Sequence, residues 1–185
     1  MTLSPAEAEE PMAQATTIID LARMSLSHGE GRRLELPVRL EPLELGGQAY
    51  TVVPDSVPVR LDVSRPSGGY AFRLRFPLRI EGPCMRCLEN AAMETEADAR
   101  EVAHEDTEDE ELRSPYVEDD ELDLGRWAHD AAVLAIPTQF LCREDCAGLC
   151  PVCGESLNDA DPADHKHDKG IDPRWSKLKE LKLDG

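Results

Sequence analysis

Positive charge and aromatic rings are both scarce in this chain of 185 residues. Lys and Arg number 20 against 38 Asp and Glu, so the formal charge is −18 at pH 7. A surface of that sign repels phosphate backbones. It disfavours nucleic-acid binding by the whole surface and leaves a local basic patch or a basic protein partner. Aromatics make up 4% of the chain, so the core must be built from Leu, Val, Ile and Ala. Long apolar runs are missing too. The longest, Ala131 to Pro137, falls far short of the roughly 20 residues a membrane helix needs, and no membrane partner is expected. Residues 1–14 are rich in Ala, Glu and Pro. They lack the basic start and apolar centre of a signal peptide, which predicts a disordered tail and a cytoplasmic protein. There is no Gly-x-Ser-x-Gly, phosphate loop or dinucleotide fingerprint, so neither an enzyme nor a small-molecule substrate is expected.

What is present is a series of short alternating segments. Thr16 to Ala22 reads as a first strand and Ser25 to Gly31 as a loop. Arg33 to Leu40, which contains Pro37, reads as an edge strand. Gly46-Gly47 and Ser67-Gly68-Gly69 mark turns. Val57, Val59, Leu61 and Val63 share one face of a strand, and Tyr70, Phe72, Leu74 and Phe76 share one face of the next. Pro77 predicts a bulge or a strand end. Leu88 to Val102 is a helix by composition and a strand by its place after a hairpin-like run. Residues 104–123 are dominated by Asp and Glu and predict an acidic loop, or a patch for a basic partner. Leu124 to Ala135 predicts a helix capped by Asp123, stopped by Pro137 and apolar along Leu124, Trp127, Ala128, Ala131 and Ala135. Pro173 to Leu183 reads as a helix that docks on the core or binds a partner. The expected fold class is α+β: an antiparallel β core with one main helix and a cysteine-rich zinc-knuckle region. The expected organisation is a single domain over 15–183, with the cysteine-rich part at 141–158.

The six cysteines fall in two clusters, Cys84 with Cys87, and Cys142, Cys146, Cys150 and Cys153. A reducing compartment makes metal ligation the first reading. A Cys-x-x-Cys turn aims two thiolates at one point, and two such turns complete a tetrahedral sulfur shell for a structural Zn2+. The spacing points to Cys84, Cys87, Cys150 and Cys153 as the ligands. Cys142 and Cys146 are rivals for the last two places, or belong to a second site with His165 and His167. A thiol-disulfide oxidoreductase using Cys84 and Cys87 is the competing function; it requires a cysteine at a helix N-terminus. Arg73, Arg75, Arg79 and Arg86 surround the first pair and are candidates for an RNA-facing patch. A sequence-reading zinc module is disfavoured, because the finger spacing and a basic recognition helix are both missing.

Three blocks carry a resemblance. Pro83-Cys84-Met85-Arg86-Cys87-Leu88-Glu89, the run Leu141 to Gly154 followed by Leu157-Asn158, and Ile171-Asp172-Pro173-Arg174-Trp175 with Leu178 together resemble the signatures of the YceD family. The resemblance spans roughly residues 16–182. The family is named for large-subunit ribosomal RNA accumulation. It implies a non-enzymatic ribosome-biogenesis factor acting in large-subunit rRNA processing or stability, with large-subunit rRNA or a basic ribosomal protein as partner.

Overall fold

The computed structural model describes residues 17–104 and 113–161, with 165 and 167. Among the described residues, nine strands and two helices run in the order β1 (Ile18–Asp20), α1 (Leu21–Met24), β2 (Gly31–Arg39), β3 (Leu43–Leu45), β4 (Gln48–Val52), β5 (Ser56–Ser64), β6 (Gly69–Pro83), β7 (Asn90–His104), β8 (Val117–Glu118), β9 (Glu121–Asp123) and α2 (Leu124–Ala135). All pairings are antiparallel. A six-stranded sheet is organised around β6, and β1, β9 and β8 form a small second sheet.

The alternation seen in the sequence is the alternation that buries the core. Val57, Val59, Leu61 and Val63 of β5 are buried, as are Tyr70, Phe72, Leu74, Phe76, Leu78 and Ile80 of β6. β2 is an edge strand, paired only with β5 and carrying Pro37 opposite Pro58. Pro77 does not end β6. The ladder to β7 runs through Pro77↔Glu96 without a break. On the other edge of β6, pairing with β5 stops at Arg75 and pairing with β4 starts at Ile80. A residue with no N–H is tolerated there because that edge asks for no donor.

The ambiguous segment is strand β7, paired with β6 from Asn90 to His104. Its inward positions include Ala91, Ala97 and Ala103, all buried. Small residues look helical by propensity, but here they make room for α2, which packs across β7. Fifteen paired positions outweigh a propensity difference of a few tenths of a kcal/mol per residue. α2 matches its expected limits. The Asp123 side chain accepts from the Arg126 N–H at 2.9 Å, and Leu124, Trp127, Ala128, Ala131 and Ala132 are buried while Ala135 is half-buried. Trp127 meets Phe72 edge-on at 6.2 Å and stacks on Tyr116 at 6.0 Å.

Two expectations change. The first strand is shorter than Thr16 to Ala22, because Asp20 caps the extra helix α1. The acidic segment is not all loop: His104 closes β7, and Val117–Asp123 forms the β8–β9 hairpin. The hairpin is anchored by Leu21 N–H donating to Asp120 O at 2.9 Å. The tail 1–14 and the C-terminal segment from Pro173 lie outside the described residues. Among the described residues, no helix is long and apolar enough to cross a membrane.

Candidate metal centre

Residues 84–89 are the connection between β6 and β7, whose last register pair is Pro83↔Asn90. Cys84 N–H donates to Glu89 O at 2.8 Å, Leu88 N–H to Cys84 O at 2.9 Å, and Arg86 N–H to Cys84 Sγ at 3.4 Å. The same three bonds recur in the second Cys-x-x-Cys turn. Cys150 N–H donates to Glu155 O at 2.8 Å, Gly154 N–H to Cys150 O at 2.9 Å, and Val152 N–H to Cys150 Sγ at 3.4 Å. One local geometry is therefore written twice. Both turns need a left-handed residue after the second cysteine, and it is Leu88 at φ 63° in the first and Gly154 at φ 77° in the second. Leu88 carries strain that Gly154 avoids. Because Leu88 is 61% exposed, Leu88→Gly is expected to raise stability by about 0.5 kcal/mol, read as an upward shift of the thermal midpoint.

The tertiary fold sorts the cysteines differently from their spacing. The first turn is joined by Cys142 and Cys146, from the segment after α2, with Cys84 Sγ 3.7 Å from Cys146 Sγ and Cys87 Sγ 3.5 Å from Cys142 Sγ. Cys150 and Cys153 instead gather with His165 and His167. Within each group of four, the candidate ligand atoms all lie within 4.8 Å of one another. Among the described residues, Cys84, Cys87, Cys150 and Cys153 are not gathered as one group; Cys142 and Cys146, the rivals, stand beside Cys84 and Cys87 instead. Spacing alone does not reveal this, because a Cys-x-x-Cys turn does not encode which turn it faces.

Several contacts press the segment after α2 against the first turn. Met85 N–H donates to Phe140 O at 2.9 Å, and Phe140 N–H donates to Met85 Sδ at 3.4 Å. The Arg86 guanidinium donates to Cys146 O at 3.0 Å and to Gln139 Oε1 at 3.2 Å. Gly148 passes so close that an added Cβ would lie 3.2 Å from Arg86 O. The first cluster is closed: Cys84, Cys87 and Cys146 are buried and Cys142 is half-buried.

The thiols are tuned unequally. Burial acts to raise the Cys84 thiol, but backbone hydrogen bonding around Cys87, Arg86 and Cys142 outweighs it and lowers its pKa to about 6. Burial and the neighbouring sulfurs push Cys142 up to about 12. Cys150 is lowered to about 6, first by backbone hydrogen bonding at Cys153, while burial opposes the shift. Each turn thus lowers one thiol toward the thiolate, which is the protonation state that binds metal.

The arginines near the first turn do not form a free cationic patch. Arg73 pairs with Asp98 at 2.6 Å, Arg75 with Asp62 at 2.8 Å, and Arg79 with Glu81 at 3.0 Å. Arg86 is occupied by the contacts already described. Hydrogen bonds from arginines hold the Asp62 and Asp98 carboxyls below their usual range, Arg33 leading at Asp62 with Arg75 adding to it, and Arg73 leading at Asp98.

A sequence model of the family described as "Large ribosomal RNA subunit accumulation protein YceD" matches residues 72–182, more than half of the chain. The chain belongs to the YceD family. The match takes in most of β6, all of β7 and α2, and both cysteine clusters. Uncharacterized proteins of Mycobacterium tuberculosis (strain ATCC 25618 / H37Rv) and Mycobacterium bovis are 39% identical over 107 residues, covering 54% of this chain and 49% of each relative. One from Mycobacterium leprae is 42% identical over 66 residues, covering 36% of this chain and 29% of that protein. The chain thus spans about half or less of the length of the curated relatives it matches. No solved structure matches it significantly. The family's name ties it to the large ribosomal subunit and describes an accumulation factor.

Proposed function

We propose that this YceD-family chain supports the accumulation of large-subunit rRNA by binding, without catalysis, and that Zn2+ held by Cys84, Cys87, Cys142 and Cys146 keeps it folded. The buried four-sulfur cluster carries the zinc reading. In a tetrahedral site with Zn–S bonds of about 2.3 Å the sulfurs stand about 3.8 Å apart, and the closest pairs here are 3.5 and 3.7 Å apart. The ion would supply no reactive position, because four protein sulfurs fill a tetrahedral shell. The rRNA role rests on the family's name.

Charge selects between the two partner classes. With Arg73, Arg75, Arg79 and Arg86 engaged inside the protein and a formal charge of −18, a basic ribosomal protein is the favoured direct partner over rRNA. Deleting the gene is expected to lower mature large-subunit rRNA relative to small-subunit rRNA. Unchanged ratios, measured by quantitative RNA analysis, would reject the reading.

The alternative, a thiol-disulfide oxidoreductase at Cys84 and Cys87, has the lowered Cys84 thiol in its favour. Against it, the pair lies between two strands, not at a helix N-terminus. Cys84 is also 0% exposed, which denies a substrate disulfide access to the attacking sulfur.

A further inference from the structure

We propose that Cys150, Cys153, His165 and His167 form a second zinc site, separate from the four-cysteine cluster, more readily emptied, and serving to fasten His165 and His167 onto the second cysteine turn. The two sulfurs and two imidazoles place their nearest ligand atoms within 4.8 Å of one another, with Cys153 Sγ 3.2 Å from His165 Nε2. A sulfur-and-nitrogen set that can close tetrahedrally selects zinc among the common divalent ions. The turn itself is the duplicate of the first one, down to its three hydrogen bonds and its left-handed residue.

The surroundings of His165 add an independent observation. Its Nδ1 lies 3.8 Å from Glu155 Oε2, and the same oxygen lies 3.8 Å from Cys153 Sγ. Glu155 is itself held by the turn, because its carbonyl accepts from Cys150 N–H. His167 completes the set, its ring meeting that of His165 edge-on at 4.9 Å.

The two clusters differ in access. The first lies in the core with Phe140 and Tyr50. In the second, Cys153 and His167 are exposed and His165 is half-buried. The His165 N–H donates to Asp161 O at 3.2 Å. Bound metal would join His165 and His167 to the turn, and an exposed sulfur and imidazole give a chelator a direct route to it.

This proposal stands independently of the zinc reading for the first cluster. The test is zinc stoichiometry on the full chain together with withdrawal by a chromogenic chelator. The zinc-loaded chain should release its metal in two phases of equal size. H165A/H167A should lose one zinc and the fast phase, while Cys84→Ser should retain that fast phase. X-ray absorption of the loaded chain should give a mean shell of three sulfurs and one nitrogen, becoming sulfur only in H165A/H167A. An unchanged zinc content in H165A/H167A, or loss of the slow phase instead, would overturn the proposal. A fast phase that survives Cys84→Ser in a chain with no slow phase would support the second site and reject the first.

Discussion

Replacing Cys142 and Cys146 with serine, or stripping zinc from the full chain, is expected to lower the thermal midpoint by roughly 10 °C. The four-cysteine cluster joins the β6–β7 connection to the segment after α2, through partners 62 and 55 residues apart in sequence. A cross-link over such a loop removes about 4 kcal/mol of conformational entropy from the unfolded chain. For a domain of this size each kcal/mol moves the midpoint by about 2–4 °C. The cluster sits within the core, so its loss is felt by the whole sheet. Calorimetry with and without chelator, followed by zinc add-back, measures the effect. An unchanged midpoint would mean that the four thiols merely pack together. Cys150→Ser with Cys153→Ser should cost zinc but shift the main transition much less, because neither residue belongs to the core cluster.

Phe140→Ala is expected to cost about 3–5 kcal/mol, the range for removing a buried aromatic. Phe140 is 1% exposed and meets Tyr50 edge-on at 5.0 Å, where β4 borders β6. Its backbone also holds Met85 in the first cysteine turn through both its N–H and its carbonyl. The substitution should therefore act twice, opening a cavity beside Tyr50 and loosening the turn that aims Cys84 and Cys87. Chemical denaturation gives the first effect. Faster zinc release from the folded variant gives the second, and unchanged release would show that the turn is braced without Phe140. Phe140→Leu should recover most of the stability, because it leaves a smaller cavity.

Much of this protein is local enough to read along the chain. The period of two in Val57–Val63 and Tyr70–Phe76 places side chains on one face whatever the strand's partners are. Asp123 caps α2 through a bond to a residue three positions away. Glycines at 46, 47 and 68 adopt the left-handed backbone that their turns require. The cysteine turns belong to the same class, each closed by hydrogen bonds within six residues.

What sequence could not reach depends on contacts between distant segments. β7 is a strand because β6 offers it fifteen register partners and α2 needs alanines beneath it. Pro77 is tolerated because β5 and β4 leave a gap on the far edge of β6. The arginines of β6 look available until Asp98, Asp62 and Glu81 are placed beside them. The cysteines show the division most clearly. Their type and turn geometry follow from the residues themselves, and so does the chemistry they offer. Their partition into Cys84, Cys87, Cys142 and Cys146 on one side and Cys150, Cys153, His165 and His167 on the other follows from how the chain returns after α2. Phe140 and Arg86 seat Cys142 and Cys146 over the first turn, and Gly148 then carries the chain past it, so the second turn lies beyond reach of the first.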